Sequence, residues 1–221
     1  MITLYHCVAA RSFRPFWALE ELGLPYQLNV LAFPPRVSER SFLAINPLGT
    51  VPAFFDGATR MTESAAICHY LGVKYGPTAL VVTPDEADFG AFLNWLHFGE
   101  ATLTFPQTIV LRYERFEPPE RRLAQAGVDY RRWFLARLRT LEPLLAQQSY
   151  LCGARFTMAD ISVGYALLLA QFLGLEPAFP EPVRQYWKRL QQRDGYQRAL
   201  AAEVAAALAQ GVSTAPAPGA A

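Results

Sequence analysis

Glu63-Ser64 precedes a run that reads as a helix to about Tyr75, which puts the pair at a helix N-terminus. Unpaired amides and the positive end of the helix dipole favour an anion there, and the Ser64 hydroxyl adds a donor. An ordinary N-cap with an acidic first turn gives the same pattern. His97 and Glu100 share a helix face, but two ligands without a third nearby do not make a metal site. Cys7, Cys68 and Cys152 are odd in number, far apart and without a C-x-x-C pair. That spacing argues against a disulfide framework, a zinc site or a dithiol mechanism, and Cys7 reads as a buried strand-end residue. Within Phe156-Thr-Met-Ala-Asp-Ile161, Thr157 and Asp160 have the spacing of a capping box, with Phe156 and Ile161 as its hydrophobic staple. Asp160 therefore reads as a residue that folds its helix, not as a catalytic acid.

The elements that must hold these residues alternate at first. Ile2 to Cys7 is β-prone, Ser12 to Leu22 has amphipathic helical spacing before Gly23, and Tyr26 to Leu31 is a second strand, together a βαβ unit with parallel strands. A Pro34-Pro35 break, a short helix near Glu39 to Ala44 and a turn over Asn46 to Pro52 follow. Ala53 to Phe55 and Thr59 to Thr62 form a hairpin across Asp56-Gly57, and a helix begins at Ser64. The order is β-α-β-α-β-β-α over residues 1–76.

Gly76-Pro77-Thr78 and Thr83-Pro84 punctuate the chain, 77–84 reads as a linker, and no strand pattern returns beyond it. Residues 85–210 read as an all-helical domain. Its helices run over Asp85 to about Arg115 with a bend near Pro106, over about Glu120 to Gln147 with a kink at Pro143, from Thr157, from near Pro182, and weakly after Gly195. The segment 211–221 reads as a disordered tail.

The 221 residues are 52% hydrophobic, enough for one large core or two modest ones, and 20 basic against 19 acidic side chains leave a net charge of +1. No global field attracts nucleic acid or an anionic membrane, so neither partner is expected. The longest apolar stretch, Val163 to Leu175, falls short of the roughly 20 residues that span a bilayer and reads as a buried helix. The N-terminus lacks the pattern of a signal peptide, and a cytoplasmic location is expected.

In combination these segments resemble the cytosolic glutathione S-transferase family, in its bacterial type. The N-terminal part resembles its thioredoxin-like domain through Leu4-Tyr5, Trp17 to Pro25, Asn46-Pro-Leu-Gly-Thr-Val-Pro52 and Thr62-Glu63-Ser64. The C-terminal part resembles its helical domain through Trp95 to Ala101 and Phe156 to Val163. The likeness spans about residues 2 to 200. It implies an α/β thioredoxin-like domain followed by an all-α domain, glutathione as cosubstrate without a metal, a small hydrophobic electrophile as second substrate, and a homodimer.

The resemblance also assigns roles. Pro52 would follow a cis bond, leaving the Val51 amide and carbonyl to pair with glutathione as an added strand, with Thr50 as a further contact. Ser64 would hold the γ-glutamyl carboxylate and Glu63 its ammonium. The chemistry needs a group that stabilises the glutathione thiolate. The serine or cysteine of several classes falls on Ala9, so that group is missing. Ser12 is the first substitute and Tyr5, in the place of another class's tyrosine, the second. Ser12 reads equally as a helix cap and Tyr5 as a strand residue. Arg11 would lower the thiol pKa or hold the glycine carboxylate. The function implied is conjugation of the thiolate to electrophiles in detoxification; a glutathione-dependent disulfide or peroxide reductase, or a non-catalytic binding protein, is the alternative left by Ala9.

Overall fold

In the computed structural model, which describes residues 1–152 and 154–216, strand β1 (Ile2–His6) buries Ile2, Leu4 and His6 on one face of a sheet and half-buries Thr3 and Tyr5 on the other. This is the period-2 alternation of an extended chain. Helix α1 (Phe13–Leu22) crosses over to β2 (Tyr26–Val30), which runs parallel to β1 with Ile2 opposite Tyr26 and His6 opposite Val30. Gly23, at φ 62°, ends α1: its amide donates to the Glu20 carbonyl and that of Leu24 to the Leu19 carbonyl, a Schellman close that needs the left-handed residue. The single short helix expected near Glu39 to Ala44 is two, α2 (Pro35–Ser38) and α3 (Phe42–Ile45). Strand β3 (Ala53–Asp56) then pairs antiparallel with β1, and β4 (Thr59–Met61) with β3, giving the order β2-β1-β3-β4. Helix α4 (Ser64–Lys74) closes the motif, tied to β3 by the Tyr70 and Tyr75 hydroxyls, which donate to Asp56 at 2.9 and 2.8 Å.

The chain divides into two compact units between Gly76 and Pro77. The stretch read as a linker belongs to the second unit, where the Leu80 carbonyl accepts the Met158 amide (2.7 Å) and Arg155 donates to the Ala79 and Val81 carbonyls. Helix α5 (Phe89–His97) passes through a π-helical segment, residues 98–104, into α6 (Phe105–Leu111). The departure from α geometry lies in the turn just ahead of Pro106, the side on which a proline's missing amide and its ring disturb a continuing helix. Gly99 stands in the same segment, close against α9: a Cβ there would lie 2.5 Å from the Ser162 backbone, and the Thr104 hydroxyl donates to the Gly99 carbonyl at 2.7 Å. Helix α7 (Ala124–Leu138) follows, then α8 (Glu142–Leu145) with Pro143 in its first turn. Helix α9 (Met158–Phe172), buried from Met158 to Ala170, starts at the expected capping box. The Asp160 carboxylate accepts the Thr157 and Leu151 amides and the Tyr186 hydroxyl from α10 (Glu181–Gln191).

The last helix, α11 (Asp194–Ala209), is sixteen residues long and packs on the first unit, not with the helical one to which 85–210 was assigned. Tyr196 packs against Phe13 and Trp17 of α1, with ring centroids 5.8 and 5.0 Å apart. Arg193 makes a forked contact with Glu21 at 2.7 and 2.8 Å. Gln210 accepts the Val30 amide and donates to the Leu28 carbonyl, covering the exposed edge of β2. Of the expected tail, residues 217–221 lie outside the described residues.

Candidate functional site

The C-terminal end of β1 runs into a tight loop ahead of α1, and Ala9 there has φ 58°. A left-handed alanine costs roughly 1–2 kcal/mol, so its surroundings must hold it. They do so through Glu203 of α11, whose Oε1 accepts the Ala9 amide at 3.1 Å and lies 2.7 Å from His6 Nε2. When the carboxylate is ionised it can only accept, and Nε2–H is then the donor. On the far side of the ring, His6 Nδ1 meets Ser12 Oγ at 2.8 Å, and that oxygen also accepts the Cys7 amide at 3.4 Å. His6 and Ser12 are fully enclosed and Glu203 is 6% exposed.

Ser12, the first candidate for the thiolate partner, stands inside the fold, its hydroxyl turned into the interior and engaged by His6. Tyr5 points to the opposite face of the sheet, its ring between Phe42 and Phe55 with centroids at 5.5 and 6.1 Å, and lines a shallow hollow of about 350 Å³ with Arg60. The structure therefore does not bring Tyr5 and Ser12 together. Burial pushes the Cys7 thiol up to about 12, which makes it inert as a nucleophile. Arg11 stands half-buried in the turn just before α1.

Two other segments border the same strand end. Tyr5 pairs with Ala53 across the ladder, so residues 50–52 continue alongside the loop, and Ala10 packs against the cluster that contains Val51. The Val51–Pro52 bond is cis; Phe33–Pro34 is a second cis bond that the sequence reading did not identify. No described residue hydrogen-bonds to the Val51 main chain, which leaves an amide and a carbonyl at a sheet end. Asn46 shapes the approach: its Nδ2 donates to the Thr50 carbonyl at 2.8 Å and its Oδ1 accepts the Leu48 amide at 3.2 Å. Gly49 has φ 62°, and a Cβ there would meet Arg36 Cβ at 2.6 Å.

Glu63 and Ser64 start α4 as expected, Glu63 exposed and Ser64 buried. Sequence reasoning missed what supports them. Arg14, wholly enclosed in α1, donates from its guanidinium to Ser64 Oγ at 3.1 Å. It places a permanent positive charge beneath a helix N-terminus, where both favour an anion. The signal was a basic residue on an otherwise apolar helix face, among Phe13, Phe16 and Trp17. Strand end, cis-proline segment and α4 start together can hold an extended, anionic peptide-like molecule. Among the described residues there is no cluster able to hold a metal ion.

A family model described as the glutathione S-transferase N-terminal domain matches residues 10–74. Glutathione S-transferase 2 of Saccharomyces cerevisiae is 31% identical over 168 residues, 72% of this chain and 70% of that one. Glutathione S-transferase 3 of Schizosaccharomyces pombe is 37% identical over 103 residues; the match spans 47% of this chain and only 43% of that relative. Among solved structures, Ure2p5 from Phanerochaete chrysosporium, cocrystallized with 1-(S-glutathionyl)-2,4-dinitrobenzene, superposes with a TM-score of 0.79 at 26% identity, covering 95% of this chain and 96% of that one.

Proposed function

Because the chain belongs to the glutathione S-transferase family, we propose that it binds glutathione at the end of β1 and joins its thiolate to small hydrophobic electrophiles. The observation that carries this reading is the pairing of Val51's unengaged main chain with the Arg14-backed start of α4. Val51 takes the tripeptide as an added strand, with Pro52 and Thr50 beside it. Ser64 and the α4 amides take the γ-glutamyl carboxylate, and Glu63 its ammonium.

With the Ser12 hydroxyl engaged by His6, the thiolate is stabilised by the Arg11 charge and the N-terminal end of α1. The thiolate attacks an electrophilic carbon, a carbon–sulfur bond forms, and a leaving group such as chloride departs with the bonding pair. The conjugate held by Ure2p5 supports an aromatic chloride as the first electrophile to try. A homodimer, a cytoplasmic setting and a detoxifying role belong to this reading; no helix among the described residues is long and apolar enough to cross a membrane.

Ala9 favours a second reading. It leaves no hydroxyl at the position where many relatives carry one, which suits a glutathione-dependent disulfide or peroxide reductase, or a binding protein without turnover. Calorimetric titration with glutathione, followed by turnover of 1-chloro-2,4-dinitrobenzene and of a mixed disulfide, separates them. Conjugation predicts faster loss of the chloride, and Arg11→Ala slows it at least about tenfold. Binding without either turnover leaves the non-catalytic reading, and no heat at about 10 mM glutathione ends all three.

A further inference from the structure

Glu203 lies at the far end of the chain from the β1–α1 loop, yet a single carboxylate oxygen holds that loop twice, through the Ala9 amide at 3.1 Å and through His6 at 2.7 Å. A carboxylate enclosed to this degree costs desolvation unless its partners are well placed. Both partners here belong to the loop or the strand that feeds it. Ala9 is the one described residue other than glycine with a positive φ. That conformation is the one in which its amide reaches Glu203 while the Ala10 amide closes back on the Cys7 carbonyl at 3.0 Å. Ala10 and Arg11, next in the chain, are the loop residues placed beside Val51 and ahead of α1.

We propose that Glu203 is a positioning residue of the glutathione site: from α11 it fixes Ala9 in its left-handed conformation and so sets where Ala10 and Arg11 stand. The proposal rests on the reading that glutathione binds at this loop. It makes α11 a part of the site's support and not merely a cover for α1. What matters in this role is the reach of the acceptor more than its charge. The substitution Glu203→Gln keeps the side-chain length and an oxygen for the Ala9 amide and His6 Nε2–H, whereas Glu203→Asp keeps the charge but falls one methylene short.

The full-length wild type, Glu203→Gln, Glu203→Asp and Glu203→Ala are compared by amide hydrogen exchange at residues 8–12 and by the Kd for glutathione, well below each variant's melting temperature. Positioning predicts Glu203→Gln within about twofold of wild type in both readouts. For Glu203→Asp it predicts loop exchange faster by about tenfold and glutathione binding weaker by at least about threefold, and for Glu203→Ala larger changes in the same direction. Should Glu203→Ala not fold, the contrast between the Gln and Asp variants still decides. An Asp variant like wild type with the Gln variant impaired, or melting temperatures lowered with loop exchange and Kd unchanged, overturns the proposal. A wild type that binds no glutathione overturns its link to the site and the functional reading together, while the exchange rates still report whether Glu203 holds the loop.

Discussion

A serine at the start of a helix ordinarily offers its hydroxyl to the first helix amides or to a ligand. Ser12 does neither: it makes no cap hydrogen bond and faces His6 inside the fold. Chain position cannot reveal this, because the same residue at the same helix start serves all three purposes. Ser12→Ala leaves a buried imidazole nitrogen without its partner, an expected loss of about 1–3 kcal/mol in denaturant unfolding. Turnover per folded molecule should stay within about twofold of wild type. Turnover that collapses at unchanged stability would return the hydroxyl to the chemistry. Arg14, His6 and Glu203 were illegible for a related reason. Buried ionisable residues run against the usual partition, and sequence gives no view of the partners 50 to 197 positions away that make them tolerable.

At the scale of elements, much was readable. The period-2 pattern of β1, the glycine stop of α1, the Asp56-Gly57 hairpin and the Thr157–Asp160 box each rest on local chemistry, and each element stands where that chemistry puts it. The π-helical segment at 98–104 was only half readable: Pro106 marks where it ends, but the close approach of Gly99 to Ser162 within it is a tertiary contact. Gly127 in α7 is a second such contact. A Cβ there would lie 2.4 Å from Glu114 Oε1, and Glu114 is not free to retreat, since Arg131 grips both its oxygens at 2.9 and 2.5 Å. Alanine would ordinarily strengthen a helix by up to about 1 kcal/mol over glycine. Gly127→Ala is expected to destabilise instead, and to regain the helix benefit in a Glu114→Ala background, a double-mutant cycle that unfolding measurements can close. The same pair sets a pH dependence. The hydrogen bond from Arg131 holds the Glu114 carboxyl below its ordinary 4.5, so its stabilisation is present above that value and fades as pH falls below it. The stability gap between wild type and Glu114→Gln should therefore be full at neutral pH and shrink in acid; a gap that widens in acid would contradict the assignment.

For the whole molecule, the break between Gly76 and Pro77 coincides with the point where strand signals end. The destination of α11 was hidden, because its own apolar residues say that it packs but not on what. Its partners are Phe13 and Trp17 at the other end of the chain, and through Glu203 it reaches the loop that borders the proposed site. That site is distributed over three segments of the first unit, so a ligand seated there must touch all three at once. The most direct test is a titration of the isotopically labelled full chain with glutathione, followed through its backbone amide resonances. The amides of Ala10, Arg11, Val51 and Ser64 are expected to shift together along one binding curve. If glutathione at about 10 mM moves none of them, or shifts concentrate on the sheet face around Tyr5 and Arg60, glutathione does not bind at the end of β1.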